Sequence, residues 1–186
     1  MSILDIHVLG DPILREVTTP VVTMDDELRR LVDDMFETMY VANGVGLAAP
    51  QVGRRERLAV LDVGDGPIAV INPEIVAASG KQRAEEGCLS IPEIFGEVER
   101  AMRVTVRALD ARGEPFELEG SELLARCLQH EIDHLHGKLF LDYLSVLKRR
   151  SAMSQWDRLK KDFPGNRRVL TAQEIAEHVT KPDEEL

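Results

Sequence analysis

Apolar residues recur at steps of three and four between Asp25 and Tyr40, as Leu28, Leu31, Val32, Met35, Phe36, Met39 and Tyr40. That spacing predicts an amphipathic helix with one face in a core. Thr23 is the candidate cap, and Asp25, Asp26 and Glu27 suit the positive end of the helix dipole. The stretch Gly44-Val45-Gly46-Leu47-Ala48-Ala49-Pro50-Gln51 then breaks the pattern, and its glycines and proline predict irregular backbone. Arg57–Val63 and Ile68–Asn72 flank a Gly64-Asp65-Gly66-Pro67 turn and read as a strand hairpin. Further short strands are expected at Ile75–Ser79, Glu97–Arg100, Arg103–Ala108 and Phe116–Leu118. Arg103–Ala108 alternates polar and apolar, as a half-buried strand should. Helical spacing returns from about Ser121 to His136, stopped by Gly137, and again from Tyr143 to Lys161 before Pro164. Thr171-Ala172-Gln173-Glu174 has the form of a capping box for a short last helix, ended by Pro182. Strands in the middle and helices toward both ends predict an α+β domain, with antiparallel or mixed sheets packed around a central helix.

Size and charge narrow the function. A chain of 186 residues is one ordinary domain that buries enough surface to fold without a disulfide. Its 33 acids against 23 bases give a net charge of -10. That argues against a body built to coat nucleic acid or an anionic membrane, and no sequence-specific nucleic-acid binding is expected. No stretch approaches the roughly 18 apolar residues of a membrane span, and the first residues do not form an export signal. With two cysteines, Cys88 and Cys127, and nothing suggesting export, a reducing, cytoplasmic setting is expected.

The strongest chemical signal is His130-Glu131-Ile132-Asp133-His134. On a helix, residues four apart share a face, so two imidazoles at that spacing can grip one ion. Glu131 then leans toward the same ion without ligating it and can take a proton from a bound water. A catalytic ion needs a third protein ligand and an open position. His136 is too close and faces away, while His7 and His178 lie near the ends. Cys88, in Glu86-Gly87-Cys88-Leu89-Ser90, reads as the better candidate: an exposed turn leaving a strand, with a thiol that an ion would deprotonate. Cys127 fits a small buried apolar residue instead. The glycine stretch satisfies a dinucleotide-loop pattern, but a helix precedes it where a strand is required. Close approach is the better reading: residues without bulk let an extended peptide lie against the backbone, and Gln51 points its amide into the site. A zinc endopeptidase would use the histidine motif equally well but leaves Cys88 and the glycine stretch idle. A non-catalytic metal- or peptide-binding protein is the other alternative.

Taken together and in chain order, Gly44–Gln51, Glu86–Ser90 and His130–His134 resemble the three motifs of the peptide deformylases. Gly10-Asp11-Pro12-Ile13-Leu14-Arg15 and Gly137-Lys138-Leu139-Phe140 resemble the same family, and the likeness covers about residues 4–147. It implies a catalytic domain over residues 1–147, with residues 148–186 as a C-terminal extension of that domain. It implies Cys88, His130 and His134 as ligands of one Fe²⁺, which Zn²⁺, Ni²⁺ or Co²⁺ can replace. Glu131 would be the general acid and base, and the Gln51 amide and Leu89 backbone N–H would stabilise the oxyanion. Gly46, with Gly44 and Val45, would border the substrate. The implied reaction removes the formyl group from the N-formyl-methionine of new polypeptides.

The methionine pocket should be apolar. Leu123, Arg126 and Cys127 share the His130 face of the helix, and Val45 closes the pocket from the loop, although Leu123 and Cys127 fit plain core equally well. Arg126 departs from the aliphatic residue more usual there, and its charge is expected to reach water past a packed stem. Between Lys148 and Arg168 stand eight basic residues against two acids, on an otherwise acidic protein. Either this is a solvated helix face, or it is a ribosome contact such as the C-terminal helix of some bacterial deformylases makes.

Overall fold

The computed structural model describes residues 2–179. A two-residue strand β1 (Ile6–His7) precedes helix α1 (Asp26–Val41), whose Leu28, Leu31, Val32, Met35 and Met39 are buried. The cap is Asp25 and not Thr23: the Asp25 carboxylate accepts from Leu28 N at 2.9 Å. Thr23 lies two residues too early for its hydroxyl to serve the first turn. The glycine stretch is more regular than its composition predicts. It forms a short strand β2 (Gly46–Ala48) and then a 3-10 turn over Ala49–Val52.

Strands β3 (Leu58–Leu61) and β4 (Ile68–Ser79) form the expected hairpin. β4 also absorbs the run anticipated as a separate strand at Ile75–Ser79. The discontinuity seen in the sequence is a bulge: the register slips between Ile71 and Glu74 and again between Ile75 and Ala77. Asn72, at φ 51°, marks the first slip and bonds the backbone N–H and C=O of Val21 at 2.8 Å each.

The strands β5 (Gln82–Cys88) and β6 (Ile91–Arg100) form a two-stranded hairpin of their own. β7 (Arg103–Leu109) and β8 (Pro115–Ser121) complete a five-stranded sheet of order β2-β3-β4-β7-β8. Among the described residues every ladder is antiparallel, and parallel pairing is confined to a lone bridge between Thr19 and Glu56.

Helix α2 (Glu122–Leu135) lies across this sheet, with Leu128 and Ile132 packed among Ala59, Leu61, Val104 and Val106. It therefore presents its histidine face to the hairpin β5–β6. Gly137 ends it at φ 70°, and a Cβ there would stand 2.5 Å from the Arg15 carbonyl oxygen.

The helix expected from Tyr143 to Lys161 is interrupted. A 3-10 turn over Phe140–Tyr143 gives way to extended Leu144, and α3 (Val146–Leu159) starts after Ser145, which accepts from Lys148 N at 3.4 Å. Only Ala152 and Trp156 of α3 are buried. They join Leu14, Ile94 and Phe140 in one core, and the Trp156 ring stacks on Phe163. A short strand β9 (Arg167–Arg168) pairs with β1. The last helix α4 (Ala172–Val179) opens on the expected capping box: Glu174 N donates to Thr171 Oγ1 at 3.2 Å, and Thr171 N donates back to Glu174 at 2.7 Å. Pro182 lies outside the described residues. Among the described residues, no helix is long and apolar enough to cross a membrane.

Gly137 is a stringent position, because any other residue meets both a left-handed backbone and the Arg15 carbonyl. Gly137→Ala should lower stability by at least about 1–2 kcal/mol, read as a lower urea midpoint at unchanged slope.

Candidate metal centre

Three side chains from two elements meet at one point. α2 supplies His130 and His134 one turn apart, and the last residue of β5 supplies Cys88. His134 Nε2 lies 3.2 Å from His130 Nε2 and 3.3 Å from Cys88 Sγ, and the three donor atoms fall within 4.8 Å of one another. Ligands at about 2.0–2.3 Å in a tetrahedral arrangement stand roughly 3.3–3.6 Å apart, so the observed spacing fits a single cation. His134 is buried, and burial pushes its imidazole well below its ordinary pKa, toward the neutral form that ligates.

Glu86, which sequence reasoning placed on an exposed turn, explains why the set converges. Its inward-facing acid hid β5 from a search for alternating apolar residues. Glu86 is buried, and its carboxylate accepts from His130 Nδ1 at 3.0 Å. That bond fixes the tautomer and leaves the Nε2 lone pair aimed at Cys88 and His134. Arg100 grips both Glu86 oxygens, at 2.8 and 3.0 Å, and Arg126 donates to Oε1 at 2.6 Å. Arg100 also pairs with Asp133 on α2 and lies 4.5 Å from the Tyr143 ring centroid. Burial works against the Glu86 charge, but the hydrogen bonds from Arg100 and His130 prevail and hold its pKa well below the carboxylate range.

The same network corrects the reading of Arg126. Its charge does not reach water. The residue is buried, and its guanidinium also donates to the carbonyls of Val98 at 3.1 Å and Gln82 at 3.3 Å.

Glu131 is buried, and its Oε2 meets no partner among the described residues. Burial pushes its carboxyl up to about 7. A Cβ on Gly46 would run into the Glu131 carboxylate and come within 2.9 Å of Cys127 Sγ. Close approach, expected of this loop for a peptide, is already required by the protein's own acid. The two cysteines differ as anticipated. Cys127 is buried, burial raises its thiol pKa, and Sγ lies 3.4 Å from the Val45 carbonyl oxygen. Gln51 is held through Oε1, which accepts from Ala48 N at 2.8 Å. Its amide nitrogen is thereby turned toward Ser90 Oγ at 3.1 Å and Cys88 Sγ at 3.5 Å.

A cavity of about 620 Å³ opens beside this cluster. Gly44, Val45, Gly46, Gln51, Leu123 and Cys127 all line it, and so do Cys88, Leu89, His130 and Glu131. His134 sits behind the wall. Ile91, Phe95, Phe163 and Arg168 also contribute, which sequence reasoning missed. They come from the far strand of the hairpin and from the chain after α3, and no local motif marks them.

A Cys-His-His donor set beside a buried carboxylate, on an α+β scaffold with an adjoining cleft, defines a metal-dependent hydrolase. Residues 3–150 match the family model for polypeptide deformylase. The chain is 53% identical to the peptide deformylase of Alkalilimnicola ehrlichii over 163 residues, 86% of this chain and 92% of that relative. Over 159 residues it is 54% identical to the peptide deformylase of Hydrogenovibrio crunogenus, 84% of this chain and 94% of that one. The crystal structure of a peptide deformylase from Legionella pneumophila superimposes with a TM-score of 0.83 at 52% identity, covering 86% of this chain and 96% of that one. A peptide deformylase from Synechococcus elongatus, solved in complex with actinonin, gives a TM-score of 0.80 at 43% identity over 83% of this chain and 88% of that one. The chain belongs to the peptide deformylase family. It is a metallohydrolase that removes the N-formyl group from new polypeptides.

Glu86 carries a testable consequence. Its lowered pKa means that its contribution to stability is complete above its ordinary value of 4.5 and is lost as pH falls below it. Glu86→Gln should cost about 3–5 kcal/mol at pH 7, because Arg100 and Arg126 lose their shared partner. In denaturant titrations the gap to wild type should narrow as pH drops below 4.5.

Proposed function

We propose that Cys88 Sγ and the Nε2 atoms of His130 and His134 hold one Fe²⁺ per chain, a place that Zn²⁺, Ni²⁺ or Co²⁺ can take. When bound, the ion supplies Lewis acidity to a water and to the formyl carbonyl. Glu131 accepts the proton of the attacking water and passes it to the methionine nitrogen as the C–N bond breaks, releasing formate. A carboxyl poised at about 7 is suited to both transfers near neutral pH. Gln51 Nε2 and the Leu89 backbone N–H donate to the formyl oxygen as negative charge gathers there. Each such donor is typically worth about 3–4 kcal/mol of barrier. The backbone from Gly44 to Gly46 shares hydrogen bonds with the peptide, and Val45, Leu123 and Cys127 border the methionine side chain.

The observation that carries this reading is the buried Glu131 carboxylate, whose Oε2 meets no partner among the described residues, beside the converging Cys88, His130 and His134. An endopeptidase reading accounts for neither Cys88 nor Gln51 in the same cleft. A non-catalytic reading leaves a buried acid with nothing to do.

The enzyme acts in the cytoplasm, where Cys88 stays reduced. Residues 1–147 form the catalytic body, and residues 148–186 are an extension of the same domain. The burial of Trp156 among Leu14, Ile94 and Phe140 supports that single-domain reading. The exposed basic side chains of α3, among them Lys148, Arg150 and Arg158, form a contact with the ribosome.

Anaerobic purification followed by metal analysis should find one iron per chain. Glu131→Ala should retain that metal and lose at least about 100-fold in formate release from a formyl-Met tripeptide. An active, metal-replete Glu131→Ala protein refutes the assigned role. For the ribosome contact, the triple charge reversal Lys148→Glu, Arg150→Glu and Arg158→Glu should weaken co-sedimentation with ribosomes while tripeptide turnover persists. Undiminished co-sedimentation would reject it.

A further inference from the structure

The chain beyond the family match, which ends at residue 150, returns to the active site. Leu170 is buried with Val41 and Ala42 in a cluster against which Leu89 and Ile175 also pack. The segment after α3 is thereby pressed against the turn that follows Cys88. Phe163 and Arg168 form part of the wall of the catalytic cavity. Arg168 is held in place, with Nη2 2.9 Å from Glu174 Oε1. The other oxygen of Glu174 accepts from Thr171 N at 2.7 Å and Thr171 Oγ1 at 2.9 Å, so the acid that orients Arg168 is itself locked by the cap of α4. A guanidinium offers five N–H donors in a rigid plane, and Glu174 is its one side-chain acceptor among the described residues. Glu174 also offsets its charge, and Glu85 and Glu93 line the same cavity. What remains is a set of oriented donors without net positive charge, beside acids that turn carboxylates away. That chemistry suits a neutral carbonyl oxygen.

We propose that Arg168 is a specificity-determining residue that donates hydrogen bonds to main-chain carbonyls of the substrate downstream of its formyl-methionine, with Glu174 as its positioning residue. The proposal rests on the deformylase reading of this cleft and adds that the enzyme reads the length of peptide behind the methionine. The C-terminal segment is then a wall of the substrate groove as well as a surface element.

The test compares formate release from a formyl-Met-Ala dipeptide amide and a formyl-Met-Ala-Ser-Ala tetrapeptide amide by the metal-loaded full chain. Wild type should prefer the tetrapeptide. In Arg168→Ala that preference in kcat/KM should fall about tenfold, carried by KM and not by kcat. Arg168→Lys should keep part of it. Glu174→Gln leaves the guanidinium charge uncompensated and should shift preference toward a tetrapeptide with Asp at the third position. A wild type indifferent to length, an unchanged preference in Arg168→Ala, or equal losses on both peptides each overturns the proposal. If Arg168→Ala does not fold, Arg168→Gln carries the same comparison. Wild-type release from the dipeptide alone tests the deformylase reading separately.

Discussion

A single buried carboxylate ties the catalytic centre together. Glu86 sits between two arginines and a histidine, and the four groups come from three separate elements of the chain. Arg100 stands at the end of β6, Arg126 and His130 on α2, and Glu86 two residues before Cys88. Burying any one of these charges alone would cost several kcal/mol, so their joint satisfaction forces the hairpin and the helix into one relative placement. Cys88 is carried to the histidines by that constraint. The hairpin lies outside the five-stranded sheet, and its Ile91 and Ile94 pack with Leu14, Phe140 and Trp156, so the polar knot is what ties it to α2.

Around this knot, burial sorts chemically similar groups into different jobs. Two thiols face the cleft. Cys127, sunk into the helix–sheet core, has its pKa raised and stays a thiol, whereas Cys88 sits half-buried beside two imidazoles. Two glutamates lie near the same histidines, Glu86 on β5 and Glu131 on α2. Glu86 is held ionised by its partners, and burial pushes Glu131 up to about 7. One acid therefore orients a ligand while the other is free to exchange protons. The absence of a side chain at Gly46 allows the loop to pass directly over the Glu131 carboxylate.

The chain after α3 extends the same logic to the substrate. From α3 onward the buried and half-buried apolar residues point inward: Trp156 of α3 into the core beneath the hairpin, and Leu170 and Ile175 behind Leu89. A segment that looked like an appendage in the sequence is packed against the turn that carries Cys88 and Leu89.

Periodicity alone located α1, α2 and most of the sheet, because apolar spacing at 3.6 or 2 residues is a local property. The His130–His134 spacing is local too, and the joint occurrence of three motifs brought in Cys88, Gln51 and Leu89. Failures fall where local and tertiary demands diverge. β5 was missed because its buried residue is Glu86, whose burial makes sense only once Arg100, Arg126 and His130 surround it. The burial of Arg126 likewise makes sense only beside Glu86. Phe163 and Arg168 carry no motif, since their place in the cavity wall is set by strand β9 pairing with β1, more than 150 positions away in the chain. Spacing along a helix or strand is written in neighbouring residues and can be read there. The pairing of a buried charge, and the wall of a cleft, depend on which distant groups share a low-dielectric space, and only the folded chain decides that.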